Sequence, residues 1–503
     1  MIEGTRTERL RSGVKGLDDV LHGGLPAGRI YLVHGDAGTG KTTLGLQFLM
    51  AGAAEGKRCL GITLLQTLLE LQDVVASHRW DTNGITMTEL PHEIREAATT
   101  GQTVFTTADV ELSEVTDAIA AAVREHDPEC LFIDSVSELG VLVETGYQMR
   151  RQLLKLKQLL DSISCTTLLS SGFAGRLDNG TLETLVHGTI RLEMKSPEFG
   201  RPRRRVLVTK MRGIDFLGGY HDADIHTGGL HVYPRILTRV VPPGARHTVS
   251  SGNAGMDALL GGGMQKGTAC LISGTSGAGK SALSCLFAYS AAGRGVASSM
   301  FCFDERIETL LQRSAALGMP LEEHLSSGLV RIHQVDAGKT SPGHLAHMIC
   351  HAVERNNVQI VVLDSLSGYY QSMPGERELT TQLHEVLGYL SSAGVLSIMI
   401  LASHGLFGET SSPLDISYIA DTVIVLRNFE CGGEVRRCIA VLKKRYGDHE
   451  HTIREMQLGA TGIRIGEPLS GFSGVLTGLP HYTGGPARLM KSDGSPVAGQ
   501  ENR

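Results

Sequence analysis

Two segments of the chain have the residue types and spacing of a phosphate-binding loop. The first phosphate loop comprises Gly35, Asp36, Ala37, Gly38, Thr39, Gly40, Lys41 and Thr42, and the second phosphate loop comprises Gly274, Thr275, Ser276, Gly277, Ala278, Gly279, Lys280 and Ser281. Both match G-x-x-x-x-G-K-[ST], in which glycines let backbone N–H groups surround phosphate oxygens. The lysine reaches the β- and γ-phosphates, and the final hydroxyl binds Mg²⁺. We therefore predict that each chain binds two molecules of ATP with Mg²⁺.

Downstream of each phosphate loop, a continuous apolar run ends in an aspartate. The runs 131–133 and 360–363 end in Asp134 and Asp364. In parallel α/β folds such an aspartate lies beside the phosphate loop, where its carboxylate holds Mg²⁺ directly or through water. An aspartate at this point can instead cap the following segment, but a phosphate loop precedes the pattern in both halves. We predict that Asp134 and Asp364 bind the metal together with the loop hydroxyls.

The two phosphate loops belong to an internal repeat with an offset of 239 residues. Ser12-Gly13 aligns with Ser251-Gly252, and Gly23-Gly24 aligns with Gly262-Gly263. Within each half, apolar strands alternate with helical patterns. This alternation specifies an α/β fold in which helices flank a mostly parallel sheet.

The repeat and the composition of the connecting segments predict the domain boundaries. A Pro- and Gly-rich stretch separates the halves, and the chain after Gly466 is rich in Gly, Ser and Pro and has no periodicity. We predict a first domain, a linker, a second domain and a partly disordered tail, with the bounds 1–240, 241–250, 251–466 and 467–503.

Composition excludes several classes of protein. The chain has 41% hydrophobic and 20% charged residues and a net charge of −6, so it has no bulk attraction for nucleic acid or anionic membranes. No run of 18 apolar residues and no N-terminal apolar segment are present, and the nine cysteines form no C-x-x-C pair. We expect a cytoplasmic protein with reduced thiols, no membrane span and no nucleic-acid partner.

The two halves differ where a hydrolase needs a group to orient the attacking water. In RecA-type domains this group ends the strand that follows the phosphate-loop helix. In the second half the apolar run 299–303 ends in Asp304 and Glu305, whereas the counterparts 239 residues earlier are Leu65 and Gln66. The carboxylates can be a solvated strand end, but an acidic pair beside a polyphosphate is unfavourable unless it has a role. We predict an active second site and a first site that binds ATP but hydrolyses it slowly or not at all.

Several further segments resemble the KaiC family of double-domain, RecA-superfamily clock proteins. These are SG-V-x-G-L-D-x-x-L-x-GG-L-P-x-G over residues 12–28, Lys210-Met211-Arg212-Gly213, and the closing stretch 463–469. The resemblance covers residues 8 to 485 and implies two tandem RecA-like domains of the P-loop NTPase class. It also implies ATP-dependent hexamers in two stacked rings, with nucleotide between neighbouring subunits.

The resemblance assigns roles to particular residues. Lys210 and Arg212, and Lys443 and Arg445 in the second half, would contact the γ-phosphate held by the next subunit. The family's catalytic carboxylates match Asp304 and Glu305, with aspartate in place of the first glutamate.

In KaiC-like proteins the second domain phosphorylates and dephosphorylates an adjacent Ser-Thr pair. Ser417 matches the serine of this pair, but Tyr418 occupies the threonine position. The resemblance therefore implies autokinase activity directed at Ser417 in a divergent member of the family, and regulatory partners of the KaiB-like or response-regulator type.

Two other functions remain open at the level of sequence. The basic run 201–205 can mark a DNA-handling RecA-type ATPase, but its position between two apolar runs favours a solvated hairpin turn. The absence of carboxylates at residues 65 and 66 would also suit a non-catalytic, ATP-gated oligomeric scaffold. The acidic pair in the second half favours the enzyme.

Overall fold

Each half of the chain folds around a nine-stranded sheet. The computed structural model describes residues 8–64, 66–89, 108–137, 146–172, 179–197, 200–236, 247–336, 338–371, 379–402, 417–477 and 480–483. The chain divides into two units, Met1–Arg235 and Ile236–Arg503.

The strands and helices of the first unit follow one another in this order: β1 (Arg9–Leu10), α1 (Leu17–Val20), β2 (Leu25–Pro26), β3 (Ile30–Gly35), α2 (Lys41–Ala54), β4 (Cys59–Thr63), α3 (Leu68–His78), β5 (Ile85–Glu89), α4 (Ala108–His126), β6 (Cys130–Asp134), α5 (Gly146–Ser162), β7 (Thr166–Ser171), α6 (Asn179–Leu185), β8 (Gly188–Lys195), β9 (Arg203–Met211), β10 (Tyr220–His226) and β11 (Gly229–Tyr233).

The second unit follows a similar order, but helices α10 and α12 are additional, no helix is described between β18 and β19, and two short strands are added at its end: β12 (Thr248–Val249), α7 (Ala254–Leu259), β13 (Met264–Gln265), β14 (Ala269–Gly274), α8 (Lys280–Ala292), β15 (Ser298–Cys302), α9 (Ile307–Ala316), α10 (Glu322–Leu325), β16 (Val330–Gln334), α11 (Pro342–Asn356), β17 (Ile360–Asp364), α12 (Leu366–Gln371), α13 (Leu379–Ser392), β18 (Leu396–Ala402), β19 (Thr422–Cys431), β20 (Glu434–Lys444), β21 (Arg454–Gly459), β22 (Gly462–Pro468), β23 (Phe472–Ser473) and β24 (His481–Tyr482).

The two large sheets have the same topology. Their strand orders are β11-β10-β9-β8-β3-β7-β6-β4-β5 and β16-β15-β17-β18-β14-β19-β20-β21-β22. In the first sheet the six neighbouring strands β8-β3-β7-β6-β4-β5 pair in parallel, and in the second sheet the six strands β16-β15-β17-β18-β14-β19 do the same. The remaining three strands of each sheet pair antiparallel. The predicted α/β fold with two tandem, RecA-like, mostly parallel sheets is confirmed. The carboxyl ends of β3, β4 and β6 share one edge, as do those of β14, β15 and β17, and these edges carry the predicted sites.

Close packing fixes the helix that follows each phosphate loop. Gly40 adopts φ 105° at the start of α2, a left-handed conformation that favours glycine. One turn later, a Cβ on Gly45 would meet the Phe132 ring of β6 at 2.1 Å. The helix therefore lies directly on the strand that ends in Asp134, which sets the distance between loop and aspartate.

The structure describes residues on the predicted linker and at the start of the predicted tail. Thr248–Val249, predicted as linker, pair with Met264–Gln265 and belong to the second unit. The predicted tail is ordered at its start, where Leu469 and Val475 are buried together with Phe429. These apolar side chains, spaced through a Gly-rich segment, pack against the end of β19. Residues 484–503 lie outside the described residues.

Bilayer-spanning helices are absent from the part of the chain that the structure describes. No helix there combines the length and the apolar character that crossing a membrane requires.

Candidate nucleotide sites

The lysine of each phosphate loop folds back onto its own loop. Lys41 Nζ donates to the carbonyls of Gly35 and Asp36 at 2.8 and 2.9 Å, and Lys280 Nζ donates to the carbonyl of Thr275 at 2.7 Å. Burial lowers the pKa of both lysines, because a buried ammonium has lost water. A polyphosphate bound to either loop would give the ammonium an anionic partner.

The strand-ending aspartates lie next to the loop hydroxyls. Thr42 Oγ1 donates to Asp134 Oδ2 at 2.5 Å, and the Ser281 side chain hydrogen bonds to Asp364. Burial raises the pKa of Asp364, and the hydrogen bond from Ser281 opposes this rise. Asp364 Oδ2 is buried and has no hydrogen-bond partner among the described residues. Carboxylate and hydroxyl oxygens are ligands that Mg²⁺ prefers, and a cation beside Oδ2 would offset the burial of charge. These residues fit Mg²⁺.

In the second unit, a single cleft joins the phosphate loop to the predicted acidic pair. The cleft has a volume of about 710 Å³, which lies in the range of small-molecule sites. Asp304 Oδ2 accepts a hydrogen bond from Ser365 Oγ at 2.6 Å. The walls of the cleft include part of the second phosphate loop and the charged side chains Lys280, Asp304, Glu305, Arg306, Arg313, Asp364 and Arg437. The cleft thus brings together the residues predicted to bind phosphate, to bind the metal and to accept a proton.

The first unit has an amide where the second has a carboxylate. Strands β4 and β15 have the same register against β6 and β17, so Gln66 occupies the position of Glu305. Gln66 Oε1 is buried, with no hydrogen-bond partner in the described part of the chain. Leu65, the counterpart of Asp304, lies outside the described residues. An amide can orient a water molecule, but it is not a base that accepts a proton.

The predicted basic residues occupy equivalent places in the two sheets. Lys210 pairs with Thr189 and Lys443 pairs with Val423, each beside a β-bulge. Lys210 Nζ donates to two carbonyls near the end of α6, one of them that of Val186 at 2.8 Å. Lys443 Nζ likewise donates to two carbonyls of the segment before β19. The offset between these residues is 233, not 239, because the connections between the loop helix and the last strands differ in length.

These basic residues lie at the far end of the parallel strands from the phosphate loop of their own unit. Val423, the partner of Lys443, lies beside Leu271, three residues before Gly274. Three residues of strand span about 10 Å. Arg445 follows the end of β20 and lies farther from the loop; in the first unit Arg212 likewise follows β9. None of these residues is on the loop edge of its own sheet.

The predicted phosphoacceptor lies at the same far edge. Ser417 is exposed, and its carbonyl accepts a hydrogen bond from Lys443 Nζ at 3.0 Å. Tyr418 is 58% exposed, and its carbonyl accepts from Arg445 Nη2 at 2.9 Å. Ser417 and the two basic side chains therefore lie together, away from the second phosphate loop. Residues 411–416 lie outside the described residues.

Sequence reasoning missed two arginines that contact the phosphate loops. Arg204 Nη2 donates to the carbonyl of Gly38 at 3.2 Å, and Arg437 Nε donates to the carbonyl of Gly277 at 3.1 Å. The prediction that residues 201–205 form a solvated turn is wrong for Arg203–Arg205, which belong to β9. The offset of 233 that relates Lys210 to Lys443 also relates these two arginines, and this signal was available in the sequence.

Each half of the internal repeat matches the same family of known proteins. The family model described as "ATPase: KaiC" matches the chain twice, over residues 10–236 and 249–470. Proteins with the name "Circadian clock oscillator protein KaiC" are similar over most of their length. The protein from Synechococcus elongatus is 27% identical over 483 residues, which cover 94% of this chain and 92% of the relative. The protein from Parasynechococcus marenigrum is 26% identical, with 95% and 94% covered, and that from Nostoc sp. is 25% identical, with 95% and 92% covered.

Proposed function

This chain is a divergent member of the KaiC ATPase family, and on that basis we propose that it is a ring-forming, Mg·ATP-dependent ATPase whose second unit also phosphorylates Ser417. The observation that carries the proposal is the cleft of the second unit, which is lined by the phosphate loop, Asp364 and the Asp304-Glu305 pair. In its biological role the protein would act in ATP-dependent signalling or clock-type regulation.

The residues of the second unit support phosphoryl transfer by positioning and charge. Lys280 would hold the β- and γ-phosphates, and Ser281 and Asp364 would hold Mg²⁺, which neutralises developing charge. Glu305, assisted by Asp304, would accept the proton of the attacking group. The attacking oxygen, from water or from the Ser417 hydroxyl, bonds to the γ-phosphorus while the bond to the β–γ bridging oxygen breaks and ADP leaves.

The nucleotide site of each second unit would be completed by residues of a neighbouring subunit. Lys443, Arg445 and Ser417 lie together at the sheet edge opposite the phosphate loop. A head-to-tail contact brings this edge of one subunit to the loop edge of the next, and such contacts close into rings. We take the ring to be a hexamer, with Lys443 and Arg445 stabilising the transferring phosphoryl group in trans, and Lys210 and Arg212 doing the same in the first ring.

The first unit would bind ATP mainly to assemble the ring. Its loop and Asp134 retain the nucleotide and metal groups, but Gln66 occupies the position of the base. The two domains would correspond to residues 1–240 and 251–466, joined through residues 241–250, of which Thr248–Val249 pair with Met264–Gln265. KaiB-like or response-regulator-type partners would read the nucleotide state of the rings in the cytoplasm.

One observation favours a second candidate, a non-catalytic ATP-gated scaffold. The loss of the carboxylate at Gln66 leaves the first unit without a proton acceptor at that position. The scaffold predicts ATP-dependent assembly with negligible turnover in both units.

Labelling with γ-³²P-ATP and Mg²⁺ tests the proposal. The purified chain is compared with Glu305→Gln and Ser417→Ala, and both phosphate release and label on the protein are followed. We expect release and label in the parent protein, loss of both in Glu305→Gln, and loss of label alone in Ser417→Ala. Release without label would remove the kinase, and assembly without either signal would favour the scaffold.

A further inference from the structure

Arg313 pairs directly with the carboxylate that we assign as the proton acceptor. Arg313 Nη1 lies 2.7 Å from Glu305 Oε1, and the side chains are 38% and 23% exposed. Both residues line the nucleotide cleft. An ion pair with this exposure adds little to folding stability, because water screens it. Its measurable effect is therefore on the orientation of the Glu305 carboxylate.

The surroundings of Arg313 also explain why a cation is needed there. Arg313 lines the same cleft as the carboxylates of Glu305 and Asp364. Asp304 belongs to the same group of carboxylates. Arg313 thus opposes the mutual repulsion of three carboxylates that share one site with a polyphosphate.

The internal repeat gives an independent observation. The position of Glu305 is occupied by Gln66 in the first unit, and the position of Arg313, eight residues later, is occupied by Val74. The carboxylate and its guanidinium are therefore present together in one unit and absent together in the other. This is expected if the arginine is there for the glutamate rather than for the phosphate loop, which both units retain.

We propose that Arg313 is a positioning residue, which holds the Glu305 carboxylate in one orientation against the nucleotide cleft. This inference rests on the proposed function and adds a residue to its machinery. Arg313 Nη2 is buried and has no hydrogen-bond partner among the residues described. The guanidinium therefore has a second donor for a water molecule, while Nη1 keeps the carboxylate in place.

Steady-state phosphate release by the full chain, measured against the concentration of Mg·ATP, tests this role. The variants are Arg313→Gln, Arg313→Lys, Glu305→Gln and the double variant Arg313→Gln/Glu305→Gln. Arg355→Gln, at an exposed arginine in the last turn of α11, is the matched control.

We expect Arg313→Gln to lower kcat about 10- to 100-fold, because a misplaced base loses part of the rate that general base catalysis supplies. The KM for Mg·ATP should stay within about twofold of the parent value. Arg313→Lys keeps the charge without the planar fork and should recover part of the lost rate. The double variant should be no slower than Glu305→Gln, because two residues that act as a unit are not additive.

A raised KM with unchanged kcat would show that Arg313 binds nucleotide instead, and multiplied effects in the double variant would show that the residues act independently. Either result overturns the inference. If Arg313→Gln releases phosphate at the parent rate while Glu305→Gln is inactive, the inference about Arg313 is wrong but the proposed function stands. If Glu305→Gln itself releases phosphate at the parent rate, the proposed function is wrong as well. If Arg313→Gln does not fold, Arg313→Lys decides by the same split between kcat and KM.

Discussion

Mixing two inactive variants reveals whether Lys443 acts on the nucleotide of a neighbouring subunit. Lys280→Ala removes the loop lysine but leaves the far edge intact, and Lys443→Ala does the reverse. Lys443 pairs with Val423, which lies beside Leu271, three residues before Gly274, so about 10 Å of strand separates Lys443 from its own loop. Each variant alone should lose the second-unit activity, by about 10³-fold for a residue that acts as an arginine finger does.

The magnitude expected for the mixture follows from the geometry of a head-to-tail ring. In rings assembled at random from equal amounts of the two variants, about one quarter of the contacts combine an intact loop with an intact neighbouring lysine. Phosphate release from the second units should therefore recover to about a quarter of the parent rate, since each contact acts independently. The rate of Lys280→Ala alone gives the contribution of the first units.

The assay mixes the nucleotide-free variants, adds Mg·ATP and measures phosphate release, with a tag on one variant to verify mixed rings. Lys444→Ala is the matched control, because the Lys444 ammonium contacts the carbonyls of Leu260 and Asp448 rather than the Ser417 segment. It should retain the parent rate. Mixed rings that release phosphate no faster than the mean of the separate variants would refute the reasoning.

Three further perturbations have definite expected outcomes. Asp364→Asn, which alters the buried carboxylate with the unpaired Oδ2, should raise the Mg²⁺ concentration needed for phosphate release, and EDTA should abolish release; an unchanged Mg²⁺ titration would contradict the metal role. Gly45→Ala should destabilise the first unit by about 1–3 kcal/mol in thermal unfolding, because its Cβ would meet the Phe132 ring at 2.1 Å. Gly293→Ala is the control, because a Cβ there would lie 3.6 Å from its nearest neighbour. Equal unfolding midpoints for the Gly45→Ala and Gly293→Ala variants would contradict the predicted clash. Burial lowers the pKa of His34 to about 4, so the unfolded chain binds a proton that the native chain does not between pH 6.5 and 4. The His34 contribution to stability should be fully present above this window and be lost as the pH falls through it, and His34→Gln should flatten the dependence measured by urea unfolding.

The parts of the site that sequence could predict are those determined by local motifs. A phosphate loop is eight consecutive residues, and Asp134 and Asp364 end runs of apolar residues that read as buried strands. The correspondence between Gln66 and Glu305 needed only the offset of the repeat, because the strands after the loop helices have equal lengths.

The parts that sequence did not predict depend on tertiary contacts. Arg204 and Arg437 reach the loops only because the sheets place β9 and β20 two strands away from β3 and β14, which lead into the loops, and nothing local marks that contact. The pair of Glu305 with Arg313 spans a strand end and two turns of helix, so no short-range spacing rule identifies it. The start of the predicted tail packs through widely spaced apolar side chains in a segment whose composition is typical of disorder.

The most direct test of the central claim, that turnover belongs to the second unit, compares phosphate release by Glu305→Gln and Gln66→Ala. Glu305→Gln gives the second site the amide that the first site has, whereas Gln66→Ala changes only the first site. The account predicts that Glu305→Gln loses most of the phosphate release and that Gln66→Ala keeps the parent rate. A Glu305→Gln protein that retains the parent rate while still binding ATP would contradict it.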